Sequence, residues 1–192
     1  MMPDKKNFKI VSFYRFINIK NKRLFKLKLE SFLKQFLMRG TILLSNEGIN
    51  GSLSGSSNDL EKIILFIKKN LKIKQLNIKR NNTKFLPFNR LKVRLKKEIV
   101  SMGQGKLDVK KLRGNLVKPE LWNELISRKS TRLIDVRNVY EIKIGKFKRA
   151  INPNTENFRQ FPNSLKKLKI NKNDTIAMYC TGGIRCEKQV PI

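Results

Sequence analysis

An α+β domain followed by a parallel α/β domain is the architecture this sequence predicts, and three observations carry it. Residues 8–79 run strand, helix, strand, strand, helix, strand; residues 133–179 alternate strand with helix; and Ser101 to Lys118, with three glycines and many lysines, lies between the two patterns. Domain limits of 1–100 and 119–192 follow, with 101–118 as connector.

Phe8 to Phe16 is rich in aromatic and β-branched residues and reads as a strand. In Lys22 to Arg39, the residues Phe25, Leu29, Phe32, Leu33 and Phe36 fall on one helical stripe, and Gly40 follows as a C-terminal cap. Thr41 to Ser45 is a short buried strand. Asn46 to Gly51 supplies turn chemistry before another strand reaching Ser54. A second helix opens at Asn58, which has Glu61 at capping-box spacing, and buries Leu60, Ile63, Ile64, Ile67 and Leu71. Ile73 to Lys79 is a weaker strand. That completes βαββαβ, the order of a ferredoxin-like antiparallel sheet with helices on one face. One more strand, Leu91 to Leu95, points Leu91, Val93 and Leu95 one way and Lys92, Arg94 and Lys96 the other. This basic face is either solvated or a ridge for phosphate.

Pro119 suits the first turn of a helix through Arg128, with Leu121, Trp122 and Leu125 on its buried side. Leu133 to Val136 is a strand, Asn138 to Ile144 a short helix, Phe158 to Leu168 more helix and Thr175 to Tyr179 a strand. Ligands of parallel sheets gather at the carboxyl ends of strands, and Cys180 stands at such an end. Gly182 and Gly183 let the chain after it curl tightly. A loop of this kind aims backbone amides at one point, and amides plus the Arg185 guanidinium around a sulfur favour thiolate over thiol. On spacing alone, the alternative is an ordinary strand-to-helix turn with an inert cysteine.

The composition narrows the function classes. Of 192 residues, 40% are hydrophobic and 30% charged, enough for a core and too apolar for global disorder. The longest apolar run, Ile63 to Ile67, falls far short of the ~20 residues that cross a bilayer. The first residues lack the apolar stretch of a signal peptide, so a cytoplasmic protein is expected. With no histidine, Ser-His and Cys-His machinery and imidazole-dependent zinc sites are excluded. Cys180 and Cys186 are too few for a disulfide framework, and no metal is expected. The formal charge is +30, divided as +18 over residues 1–100 and +12 over 101–192. Such a field attracts polyanions, nucleic acid first among them. Biased codon usage that leaves a solvated basic surface would give the same totals.

Cys180-Thr181-Gly182-Gly183-Ile184-Arg185 resembles the six-residue active-site loop of rhodanese domains, opened by the cysteine that carries a persulfide. Ile134-Asp135-Val136-Arg137, Tyr140-Glu141, Gly145 and Ala150-Ile151-Asn152-Pro153 are similar to the early segment of that domain. The longer string through Cys186-Glu187-Lys188 resembles the rhodanese-containing tRNA uridine hydroxylases. So do Phe13 to Phe16, Gly40 to Leu44, Glu47 to Gly51 and Lys92 to Val100, which lie outside any rhodanese domain.

That resemblance implies oxygen-dependent formation of 5-hydroxyuridine at the tRNA wobble position. It implies tRNA as partner, molecular oxygen as co-substrate and no bound cofactor. Cys180 is the implied nucleophile, with Thr181, Gly182, Gly183, Ile184 and Arg185 stabilising its anion. Lys92, Arg94 and Lys96 are candidates for tRNA contact. Cys186 reads as structural or as a resolving thiol, and Asp135, Arg137 and Glu141 as an internal salt-bridge set. A rhodanese domain continues past its loop through further elements, whereas this chain reads Gln189-Val190-Pro191-Ile192, so an incomplete, truncated second domain with a poorly held loop is expected. Two other functions stay open: rhodanese-type sulfurtransfer through a Cys180 persulfide, and an inactive RNA-binding remnant.

Overall fold

The computed structural model describes residues 8–104, 114–171 and 173–190. The chain divides into two compact units, 1–99 and 100–192. Half of the expected connector, residues 105–113, lies outside the described residues, as does Pro191.

The first unit consists of β1 (Phe8–Phe16), α1 (Lys22–Leu33), β2 (Arg39–Ser45), β3 (Gly48–Gly55), α2 (Ser57–Leu71), β4 (Asn77–Thr83) and β5 (Leu91–Leu95). Its sheet runs β4-β1-β3-β2-β5. The first four strands pair antiparallel in the ferredoxin order, and β5 adds to β2 in parallel. The sheet is therefore mixed rather than purely antiparallel. Phe25, Leu29 and Leu33 of α1 and Leu60, Ile63, Ile64 and Ile67 of α2 pack with Val11, Phe13, Ile42, Leu44 and Leu53 of the strands. Phe32 is partly buried and stacks on Phe66 of α2, ring centroids 4.0 Å apart.

Several boundaries differ from expectation for local reasons. Helix α1 stops at Leu33, so Phe36 reaches the core from the turn beyond it. Gly40 does not cap the helix; it sits inside β2 at φ +133, where a Cβ would lie 2.1 Å from the Ser52 carbonyl oxygen. Helix α2 starts one residue before Asn58, since the Ser56 hydroxyl accepts from the Asp59 amide and supplies the cap. Strand β4 occupies 77–83 rather than 73–79. Ile73 closes the end of α2 by donating to the Lys68 carbonyl, which leaves Asn77 to Thr83 to meet Tyr14 to Phe8 across the ladder. In β5, Val93 is buried and Leu91 packs against the core, but Leu95, at the end of an edge strand, stays exposed.

The second unit carries α3 (Pro119–Ser127), β6 (Thr131–Asp135), α4 (Val139–Ile142), a 3₁₀ turn (Phe158–Gln160), α5 (Phe161–Lys167), β7 (Thr175–Tyr179) and α6 (Ile184–Gln189). Strands β6 and β7 pair in parallel, and Ile134 bridges to Ile151. Alternation along β6 separates two packing faces. Ile134 joins Met102, Val136, Phe158 and Phe161, whereas Leu133 joins Ala150, Ala177, Trp122 and Leu125. Lys188 of α6 is buried and donates from Nζ to the Val100 carbonyl at 2.9 Å. Helix α6 is thereby tied to the first residue of its own unit.

Gly40→Ala tests a close backbone approach in the sheet. The methyl group must displace the β3 backbone while φ stays in a region hostile to side chains, so urea denaturation should show a loss of at least ~2 kcal/mol. A variant as stable as the parent would mean that β2 and β3 can separate there at no cost.

Candidate active site

The carboxyl ends of β6 and β7 lie side by side, and each delivers one acidic or nucleophilic group. Asp135 is the last residue of β6, and Cys180 follows the last residue of β7. Between Cys180 and α6 the chain turns through Gly183, whose φ of 89 lies in the left-handed region that glycine tolerates. The turn points the Gly183 amide back at the Cys180 sulfur, 3.1 Å away.

The loop is fixed from outside by one carboxylate. Glu141 of α4 accepts two hydrogen bonds from Arg185, Nη1 to Oε2 at 2.6 Å and Nη2 to Oε1 at 2.7 Å. It also accepts from the Thr181 hydroxyl and from the Asn138 amide. The Arg185 guanidinium holds Glu141 down at about 2; burial opposes this, and the Thr181 and Asn138 bonds add to it. Arg185 thus enters α6 already oriented, with Nη2 also reaching the Thr181 oxygen at 3.2 Å.

These contacts leave the Cys180 sulfur among donors. Its ionisation is pulled down to about 5, first by the thiol hydrogen bond from Cys186, then by the backbone amides of Cys186 and Gly182 and the charge of Arg185; burial works against them. Cys186, bonded to Cys180 and buried, is pushed far up and stays a thiol. Of the two coupled sulfurs, Cys180 is the one favoured to carry the negative charge.

A second polar group sits at the end of β6. Arg137 donates to Asp135 from Nε at 2.9 Å and from Nη2 at 2.7 Å, and the Tyr179 hydroxyl donates to the same carboxylate. Burial pushes Asp135 up, but the Arg137 and Tyr179 bonds together outweigh it and lower its ionisation. Tyr179 rises to about 12 through burial and its bond to Asp135. Arg137 also lies over the Tyr179 ring, 5.3 Å from its centroid, and donates to the Gly145 carbonyl.

The expected set of Asp135, Arg137 and Glu141 is therefore two groups. Asp135 and Arg137 pair with each other, and the Glu141 carboxylate serves the loop. Cys180, Thr181, Gly182, Gly183, Ile184 and Arg185 come together as one structure, with Ile184 opening α6. Lys92, Arg94 and Lys96 belong to the first unit, on β5 and just beyond it. Sequence reasoning missed Tyr179, and it missed Cys186 as the thiol donor; the six-residue spacing of the two cysteines was the available signal. Among the described residues, no group of three or more Cys, Asp or Glu side chains is placed to hold a metal.

Two outcomes follow from these ionisations. Iodoacetamide should label Cys180 with a half-maximal rate near pH 5 while Cys186 stays unreacted, and Arg185→Met should move the midpoint upward. Equal, slow labelling of both cysteines would show that the loop does not activate sulfur. The low folded-state value of Glu141 contributes stability that is complete above the unfolded carboxyl value of ~4.3 and is lost as pH falls through about 2. Calorimetry of the full chain should accordingly show a falling thermal midpoint between pH 5 and pH 2, and a shallower fall in Glu141→Gln. An identical slope in the variant would remove the clamp.

Comparison with known proteins now meets this geometry. Residues 8–99 match the family model described as the UPF0176 acylphosphatase like domain, and residues 118–190 match that of the rhodanese-like domain. The tRNA uridine(34) hydroxylase of Wolbachia sp. subsp. Brugia malayi (strain TRS) is 45% identical over 182 residues, covering 95% of this chain and 67% of the relative. That of Pelagibacter ubique (strain HTCC1062) is 43% identical, covering 94% of this chain and 60% of the relative. Among solved structures, an acylphosphatase from Coxiella burnetii matches with a TM-score of 0.34 and 12% identity, over 49% of this chain and 100% of that one. The chain spans about three fifths to two thirds of the length of these curated relatives. With an acylphosphatase-like first domain, a rhodanese second domain and relatives of this similarity, the chain belongs to the tRNA uridine(34) hydroxylase family.

Proposed function

We propose that this chain hydroxylates the wobble uridine of tRNA to 5-hydroxyuridine, with molecular oxygen as co-substrate, no bound cofactor and Cys180 as the reacting nucleophile. The single observation that carries the reading is the Cys180 sulfur turned onto the Gly183 amide, 3.1 Å away, in a loop clamped through Arg185 and Glu141, surroundings that favour thiolate over thiol, in a chain of this family. A thiolate is the form of cysteine that attacks carbon or sulfur. Where negative charge grows on sulfur or on an adduct beside it, the amides of Gly182, Gly183 and Cys186 already point there. Glu141 fixes the cation of Arg185 in place beforehand, so the loop needs no reorganisation when charge moves. The substrate is a polyanion, which suits a chain of +30. We place the reaction in the cytoplasm; among the described residues, no helix is long and apolar enough to cross a membrane.

The test is nucleoside mass analysis of tRNA from cells that depend on this chain for the modification. The parent should yield 5-hydroxyuridine and Cys180→Ser none. Retention of the product in Cys180→Ser would sink the assignment. Thiocyanate formed from thiosulfate and cyanide, without any hydroxylated uridine, would replace it with sulfurtransfer.

A further inference from the structure

In the first unit, the loop from β4 to β5 exposes two aromatic rings and leads, within a few residues of chain, into a row of cations with no counter-charge among the described residues. Phe85 is 67% exposed and Phe88 43%, and among the described residues neither ring packs on another aromatic or joins the core. The loop is nonetheless anchored. The Ser54 hydroxyl donates to the Pro87 carbonyl at 2.9 Å, Arg39 donates to the Phe88 carbonyl, and the Gly40 amide donates to the Arg90 carbonyl at 3.2 Å. Phe88 itself stands at φ 70, a conformation that bulky residues rarely adopt. Its ring is presented to solvent by a backbone held against its preference.

The loop ends at Arg90, and Lys92 and Arg94 follow along β5, an edge strand of the sheet. With Lys34, which follows α1, they border a groove between α1 and β5 that is floored by Leu27 and Leu91. The acidic residue in that lining, Glu30, is already paired with Lys26 at 2.8 Å. Among the described residues, none of the four cations forms an ion pair. Crowding by Arg90, followed by partial burial and Arg94, lowers the ionisation of Lys92, which is the mark of positive charges gathered without a counter-charge.

We infer that this surface holds a single-stranded stretch of the RNA substrate, its phosphates along Lys34, Arg90, Lys92 and Arg94 and its bases stacked on Phe85 and Phe88. The inference rests on the tRNA reading above and names where the first unit would grip that substrate. Aromatic rings beside a cationic groove are the general means by which proteins bind unpaired nucleotides, because every base offers a π-face and every nucleotide a phosphate. A duplex would present its phosphates but not its bases, and would leave both rings in water. An acidic polypeptide would satisfy the cations alone.

The test uses the full chain, two variants and three probes, read by fluorescence anisotropy across a salt series: tRNA, oligouridylate and inorganic polyphosphate, the last having charge without bases. The ring variant, Phe85→Ala with Phe88→Gly, should weaken oligouridylate binding by roughly 5- to 100-fold and leave polyphosphate binding unchanged. Because glycine accepts a positive φ, this variant should melt no lower than the parent, which separates lost stacking from lost folding. The charge variant, with Arg90, Lys92 and Arg94 all changed to Gln, should weaken all three probes and flatten the salt slope for oligouridylate by about two units. Oligouridylate binding untouched by the ring variant would make this a bare polyanion surface and overturn the inference. Polyglutamate bound as tightly as oligouridylate would overturn it in favour of an acidic protein partner. These readings are independent of catalysis: a parent that binds RNA but makes no 5-hydroxyuridine defeats the hydroxylase reading and leaves the surface standing.

Discussion

A single carboxylate on the short helix α4 fixes the loop that follows β7. Glu141 receives the fork of Arg185, the hydroxyl of Thr181 and the amide of Asn138, and these bonds join the end of β6 to the loop after β7. Bidentate Arg–carboxylate pairs fix orientation as well as distance. The side chains of this one are mostly buried, so water screens it less than it screens the surface pairs elsewhere in the chain. Without it, Arg185 would be a long side chain free to turn toward solvent. The amides of the loop would then face a sulfur whose surroundings were no longer fixed.

The first unit meets a different constraint, its own charge. Residues 1–100 carry a net +18, and a compact domain with that excess repels itself. The core answers with depth. Leu29, Ile42, Leu44, Ile49, Ile63 and Ile67 are wholly buried, and the cations are left at the surface and along the sheet edge. Of the few acidic side chains, Glu30, Asp59 and Glu61 each neutralise a neighbour within their own unit. Crowding at β5 is therefore a local choice, since Lys92 stands between Arg90 and Arg94 with no acid interposed.

Much of this was legible in the chain, because hydrophobic period is a strong signal where an element buries one face. The stripes of α1 and α2, the alternation of β5 and the run from Thr175 to Tyr179 are all such elements. The limits of β4 were not legible: an edge strand reading Asn-Ile-Lys-Arg-Asn-Asn-Thr buries almost nothing, and its position is set by its partner β1. Gly40 misled for a related reason. A glycine after a helical stripe reads as a cap, whereas here it is required by the approach of Ser52 on the neighbouring strand. In the second unit, the cysteine loop stood out by its spacing, but the separation of Glu141 from Asp135 and Arg137 did not. All three are close in sequence, and only the fold sends one carboxylate to the loop and the other to Tyr179.

The absence of histidine sets the terms for everything the loop does. Enzymes that use cysteine commonly draw its proton to an imidazole, and this chain has none to offer. The remaining route is to make the anion cheap where it forms, with amides, a fixed cation and a neighbouring thiol that donates. Cys186 contributes the largest part of that stabilisation, and its bond to Cys180 together with burial pushes its own ionisation up. Any adduct that removes the charge from Cys180 also removes the acceptor of the Cys186 hydrogen. The hydrogen bond that raises the Cys186 ionisation is then weakened, so the ionisation of Cys186 is coupled to the state of Cys180.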